Sequence, residues 1–157
     1  MARPFVIQTL VAGLLSFAVF GQTPAEAAGG GGTKSVTNTA VPSYAEAKAA
    51  VDAGKYKTAI QTLRGLVKTD QRNADAWNLL GYSSRKLERY DDAAYYYDIA
   101  LKLDPKHLGA LEYQGELFVK TGALSRAKAN LKALKSLCGK CDEYTDLKAA
   151  LAAAGQS

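Results

Sequence analysis

The sequence predicts an all-α solenoid of three antiparallel helix pairs, ended by one further helix. Three observations carry this. The stretch ADAWNLLGYSSRKLERYDDAAYYYDIALKLDP, from Ala74 to Pro105, recurs in outline when the chain is shifted by 34 residues in either direction. Apolar residues follow a helical period throughout, and no segment shows strand alternation. Glycines and a proline fall where helix pairs need their turns. A helix pair cannot bury its apolar face alone, so such units are stable only when stacked on copies.

In chain order, residues 1–27 stand apart from this core. Arg3 is followed by a mostly apolar run from Phe5 to Phe20, and the segment ends in Ala25-Glu26-Ala27. These are the three parts of a cleavable secretory leader, with cleavage expected after Ala27. The alternative is an uncleaved N-terminal anchor facing the periplasm, but the apolar run is shorter than the ~20 residues that span a bilayer and contains Gln8 and Thr9. After cleavage no stable membrane insertion is expected. Arg3 and Glu26 leave together, so the net charge of +5 belongs to the remainder. Residues 28–40, rich in glycine and small polar side chains, read as a flexible tether.

The folded part, 41–157, contains the repeats. The 34-residue shift sets Ala93 over Ala59 and Ala127, Gly81 over Ala47 and Gly115, and Tyr90 over Tyr56 and Leu124. It also sets Tyr97 over Leu63 and Leu131, and Ala100 over Leu66 and Leu134. Large and small residues coincide at different sites, which composition alone does not arrange. Two helices approach closely where a small residue faces a small one, and the pairs Ala47/Ala59, Gly81/Ala93 and Gly115/Ala127 meet that need. Trp77, Leu80, Tyr97 and Leu101 in the middle unit, and Leu111, Phe118, Leu124 and Leu131 in the last, fill the space between helices.

Helix ends agree with this division. Ser43, Asn73 and Asp91 are candidate N-caps, and Gly54 and Gly122 can take the left-handed conformation that closes a first helix. Pro105 cannot continue the second helix of the middle unit. In the first unit Ser43 and Glu46 replace the Trp77 and Leu80 of the middle one, so its first helix is expected to be short. Residues 142–154 (DEYTDLKAALAAA) form a last amphipathic helix with Tyr144, Leu147 and Leu151 on one stripe. It has no partner helix after it and serves to cover the open end of the third unit.

Taken with Trp77, Leu80, Gly81, Tyr90, Ala93, Tyr97, Ala100 and Pro105 at these spacings, the middle unit resembles a tetratricopeptide repeat (TPR) of an exported bacterial protein. The resemblance implies a right-handed α-solenoid of three TPR helix pairs, at about 40–73, 74–107 and 108–141, plus the terminating helix. It also implies a concave groove, lined by the first helix of each pair, that binds an extended peptide or a partner helix. In this register Tyr44, Lys48, Asn78, Tyr82, Arg85, Glu112 and Glu116 face the groove, with Asp75 and Val119 at its margins. Tyr82 and Arg85 are the expected anchors, because aromatic and arginine side chains dominate interfaces. Chaperone-binding members grip a C-terminal carboxylate with lysine, asparagine and arginine. Lys48, Leu79, Gly109 and Tyr113 stand at the matching places, so that clamp is not supported here.

The only cysteines, Cys138 and Cys141, lie between the third pair and the last helix. In an exported chain they are expected to be joined, and their spacing allows it. A redox-active dithiol is the rival reading. Against it, Cys138 ends a helix, where the dipole favours the thiol, and no strand pattern supplies a thioredoxin-like frame. Asp142 after the second cysteine excludes the haem-attachment motif. Two cysteines with His107, a solvent-facing linker residue in this reading, fall short of a zinc site.

No nucleophile and base pair, phosphate loop or cofactor motif is present, so neither an enzyme nor a bound cofactor is expected. The modest positive charge is scattered among acidic neighbours, which argues against nucleic acid. The expected partner is a protein or peptide in the periplasm, and an open solenoid also leaves room for a homo-oligomer.

Overall fold

A computed structural model of the chain describes residues 42–155. The leader at 1–27 and the tether at 28–40 lie outside the described residues. Among the described residues there are helices and no strands. The first pair is α1 (Tyr44–Asp52) with α2 (Tyr56–Thr69), the second α3 (Ala74–Lys86) with α4 (Tyr90–Leu103), and the third α5 (Leu108–Lys120) with α6 (Leu124–Leu137). A single helix, α7 (Asp142–Ala153), follows. The all-α solenoid expected from the repeats is the architecture found.

The ends of the helices have local causes. Ser43 Oγ accepts from Glu46 N at 3.1 Å while Ser43 N donates to Glu46 Oε2 at 3.2 Å, a reciprocal capping box. Ser43 and Glu46, which break the repeat pattern, are thus used to start a helix of 9 residues where α3 and α5 have 13. Asn73 caps α3 by accepting from Ala76 N at 2.9 Å. Asp91 is not a cap: α4 begins at Tyr90, Arg89 is its N-cap without a side-chain bond, and Asp91 lies in the first turn. There its charge still meets the positive end of the helix dipole.

Gly54 and Gly122 close α1 and α5 at φ of 69° and 78°. Behind each, the next amide reaches back over the turn, Lys55 N to Ala50 O at 2.8 Å and Ala123 N to Phe118 O at 2.8 Å. These bonds satisfy carbonyls the helix leaves open.

The backbones of α1, α3, α5 and α7 pack on one another in succession, whereas those of α2, α4 and α6 pack only against these four. The first helices therefore form the inner, concave wall and the second helices the outer one. The core between them is laid down by the repeat. Ala59, Leu63 and Leu80 are fully buried in the first half, Ala93 and Tyr97 at the centre, and Ala127, Leu134 and Leu147 in the second half.

The small residues act differently from the small-against-small expectation. A methyl at Gly81 would lie 2.5 Å from Cε1 of Tyr97, and one at Gly115 would lie 2.4 Å from Cδ2 of Leu147. Each glycine opens a hole for a large side chain of a packed helix. The hole at Gly115 is what seats α7, whose Leu147 and Leu151 are buried.

Polar groups also cross the core. Buried Gln114 donates to Asp98 Oδ1 at 2.7 Å and accepts from Asn130 Nδ2 at 3.0 Å. Asn130 Nδ2 also donates to Leu111 O at 3.0 Å. The network ties α4, α5 and α6 in one register. Trp77 stacks on Tyr96 with centroids 5.9 Å apart, and its indole N–H donates to Gln71 O at 2.9 Å.

Candidate functional site

The concave wall collects aromatic rings at its centre. Helical spacing on α3 puts Asn78, Tyr82 and Arg85 on the side turned from the α4 packing face. The Tyr82 ring meets Tyr113 of α5 at 4.9 Å between centroids and Tyr56 at 6.2 Å, edge-on. The Arg85 guanidinium lies 5.5 Å from the Tyr82 centroid and 5.6 Å from that of Tyr113. Lys86 Nζ is 5.9 Å from the centroids of both Tyr56 and Tyr82. Cations over ring faces hold these rings in place and leave their edges to a ligand.

Beside the rings is a depression of about 190 Å³ lined by Lys48, Val51, Asp52, Leu79, Tyr82 and Tyr113. Its floor is aliphatic and aromatic, and its rim is the exposed Lys48–Asp52 ion pair at 2.8 Å. The space suits one apolar side chain of a bound segment. Tyr44, half-buried on α1, has its hydroxyl pKa raised by burial, with Asp75 and Asp52 adding to the effect.

Charged residues of the groove pair across helices. Arg85 Nη2 pairs with Glu116 Oε2 at 2.6 Å across α3 and α5, with both side chains mostly covered. Glu112, which the repeat register sets on the groove face, is only 7% exposed. Burial pushes its carboxyl up to about 8, reinforced by Glu116, Asp146 and Glu143 and opposed by Arg85. Burial likewise raises Tyr113, to about 12, with Glu112 the next contributor. Asn78 is also 7% exposed, and its amide packs over Gly109.

Lys48, Tyr82, Arg85 and Glu116 therefore surround the ring cluster, Tyr44 and Asn78 lie toward its α1 and α3 margins, and Glu112 belongs to the α5–α7 end. Tyr113, which the sequence reading names only at an unsupported clamp position, belongs to the groove. Its counterpart one repeat earlier is Leu79, which lines the same depression, and that equivalence was the available signal.

His107 is not a solvent-facing linker. Its side chain is 13% exposed, its Nδ1 accepts from Ala110 N at 3.2 Å as the N-cap of α5, and its Nε2 lies 3.1 Å from Asp75 Oδ1. It thereby joins the second pair to the third.

Cys138 and Cys141 are joined, with α-carbons 5.6 Å apart. Cys138 is the C-cap of α6, and Cys141 is the N-cap of α7. The dipole argument made for Cys138 does not extend to Cys141, where a helix start would favour a thiolate. Among the described residues no three His, Cys, Asp or Glu side chains are placed to hold a metal ion.

The type III secretion translocator chaperone SycD of Yersinia enterocolitica is similar in structure, with a TM-score of 0.65 at 22% identity over 71% of this chain and 80% of that one. PcrH in complex with the chaperone binding region of PopD gives a TM-score of 0.64 at 21% identity, over 71% and 87% of the two chains. The first TPR of Spaghetti (RPAP3), bound to the HSP90 peptide SRMEEVD, gives 0.64 at 19% identity, over 71% and 89%. At these identities the likeness is one of fold. A search of curated protein sequences gives no match. The sequence profile of the tetratricopeptide repeat matches residues 44–107 and 85–137, which together take in more than half of the chain. This match, on a stack of helix pairs built as the repeat requires, makes the chain a member of the tetratricopeptide repeat family.

Proposed function

We propose that the chain is a non-catalytic adaptor, exported to the periplasm, that binds a protein or peptide partner in its concave groove. The observation that carries this is the depression between α1, α3 and α5, where Tyr82 and Tyr113 are held open beside Val51 and Leu79. An apolar site of that size on an inner wall suits a side chain of an extended segment or a helix. The similar folds offer a parallel, since SycD has been seen with a peptide of the translocator YopD. Export rests on the leader-like residues 1–27 and agrees with the use of the chain's two cysteines as a joined pair.

The test is capture from the native envelope by chemical crosslinking, with wild type, Tyr82→Ala and, as an outer-wall control, Tyr95→Ala, whose tyrosine is 62% exposed on α4. A partner lost on Tyr82→Ala and retained on Tyr95→Ala is expected. Equal capture by all three would remove the groove reading. The position of Cys141 at a helix start favours one other role, a thiol-disulfide protein. A reduction potential below about −300 mV would class the bond as structural and dispose of that role.

A further inference from the structure

The cations of the chain are not evenly spread in the fold. Between Leu117 and Cys141 stand Lys120, Arg126, Lys128, Lys132, Lys135 and Lys140, with no aspartate or glutamate among them, so this run alone exceeds the net charge of +5. All six are exposed, and Lys128, Lys132 and Lys135, spaced by four and three, run down one side of α6. The scatter among acidic neighbours expected from the sequence therefore fails on this helix. Among the described residues Lys120, Lys132, Lys135 and Lys140 have no ion pair. Glu116, the acid before the run, is held by Arg85, and Asp142 and Glu143 after it belong to the first turn of α7. Lys128 and Lys135 stand two repeats after Ile60 and Val67, which are buried in the core of the first half. A solenoid end needs polar residues at such places, but like charges at i,i+4 weaken a helix, and a lysine–aspartate pair of the kind on α1 would supply polarity without repulsion. The helix is also the least covered of the outer wall, with only Ala127 and Leu134 buried, against five residues on α2 and four on α4. A packed protein helix does not fit beside it. Leu147 and Leu151 are buried on α7 as Leu80 and Ser84 are on α3, which sets the exposed Lys148 at the place where Gly81 opens a hole for Tyr97. At the end of α6, Leu137 is 40% exposed between Lys135 and Lys140. Lysines are hydrated point charges on apolar stems, and with an exposed leucine beside them they match the headgroup layer of a bilayer.

We propose that the exposed side of α6, from Arg126 to Lys140, is a docking surface for an anionic phospholipid membrane. The lysines meet the headgroup phosphates, and Leu137 enters the layer beneath them. This is adsorption and not insertion, since among the described residues no helix is long and apolar enough to cross a membrane. The helix belongs to the outer wall, so docking leaves the groove on the inner wall open and holds it at the membrane surface. The proposal goes beyond the groove reading and stands without it.

The test is flotation of residues 28–157, which hold the whole solenoid and lack the apolar leader, with vesicles of phosphatidylcholine alone or with roughly one-third phosphatidylglycerol. Binding is expected on the anionic vesicles only, and it falls steeply as salt is raised. The triple variant Lys132→Gln, Lys135→Gln and Lys140→Gln is expected to lower the partition roughly tenfold or more. A second triple variant, Lys57→Gln, Lys68→Gln and Lys106→Gln, removes the same charge from exposed residues elsewhere and lowers it about twofold or less. Glutamine is a good helix former and all six lysines are exposed, so both variants fold. Tyr82→Ala binds the vesicles as the unaltered chain does. Equal losses in the two triple variants, equal binding to neutral vesicles, or loss of binding on Tyr82→Ala would overturn the proposal. Displacement from the vesicles by polyglutamate or by a DNA duplex, at an equal concentration of charge, would overturn it in favour of an acidic polypeptide or a nucleic acid.

Discussion

Glu88 sits at φ 59°, the left-handed conformation that Gly54 and Gly122 take at the same place in the other pairs. Its amide still closes the turn on Arg85 O at 2.9 Å, and Arg89 N reaches Ser84 O at 2.9 Å, so the geometry is imposed by the turn. A side chain there is unfavourable by about 1–2 kcal/mol, partly offset by the greater freedom of glycine in the unfolded chain. Glu88→Gly is expected to stabilise the protein by roughly 0.5–1 kcal/mol, seen as a higher urea midpoint with an unchanged slope. Glu112 gives the opposite kind of prediction. Its carboxyl lies near 8 in the folded chain against 4.5 as the ordinary value, so the folded state holds a proton that the unfolded state has lost between those pH values. Its contribution to stability therefore falls as pH rises from about 4.5 to about 8 and is level above that. Glu112→Gln is expected to change little at pH 4 and to stabilise by on the order of 1–3 kcal/mol at pH 9, measured by urea unfolding at both. The alignment of residue 88 with two glycines was readable in the sequence. The burial of Glu112 was not, because it depends on how closely α7 covers α5.

Four helix ends were legible because a residue type makes each of them: the side chains of Ser43 with Glu46 and of Asn73 start helices, and the positive φ of Gly54 and Gly122 ends them. Asp91 misled because a good capping residue is also welcome in the first turn. The pairing of small residues was only half readable. Composition marks Gly81 as a close contact but does not say that a ring fills the space. Gly81→Ala drives a methyl against the Tyr97 ring, which is fully buried and has nowhere to turn. A loss of about 1–3 kcal/mol is expected for such overpacking, measured by thermal or urea unfolding. The last helix depends on fewer contacts, namely Leu147 and Leu151 in the core and the Cys138–Cys141 link. Replacing both cysteines by serine is expected to weaken the chain by at most about 2 kcal/mol, since the closed loop is very short. Hydrogen exchange should quicken in α7 and remain nearly unchanged in α3 and α4.

Across the whole molecule, one 34-residue register settles which helices are inner and which are outer, and that was visible in the sequence. The chemistry of the groove was visible only in part. Residue types placed Tyr82 and Arg85 on the inner wall, but the Arg85–Glu116 pair, the Tyr82–Tyr113 contact and the burial of Glu112 arise between helices that the repeat brings together. No single unit contains them. The account therefore turns on whether a polypeptide lies along α1, α3 and α5 and not along the outer wall. A photoreactive amino acid placed at Lys48, on the rim of the depression, or at Lys102, exposed on α4, tests this inside the native envelope. The account predicts a discrete crosslinked partner from position 48 that is absent from position 102. Equal crosslinking from both positions, or crosslinking from position 102 alone, would contradict it.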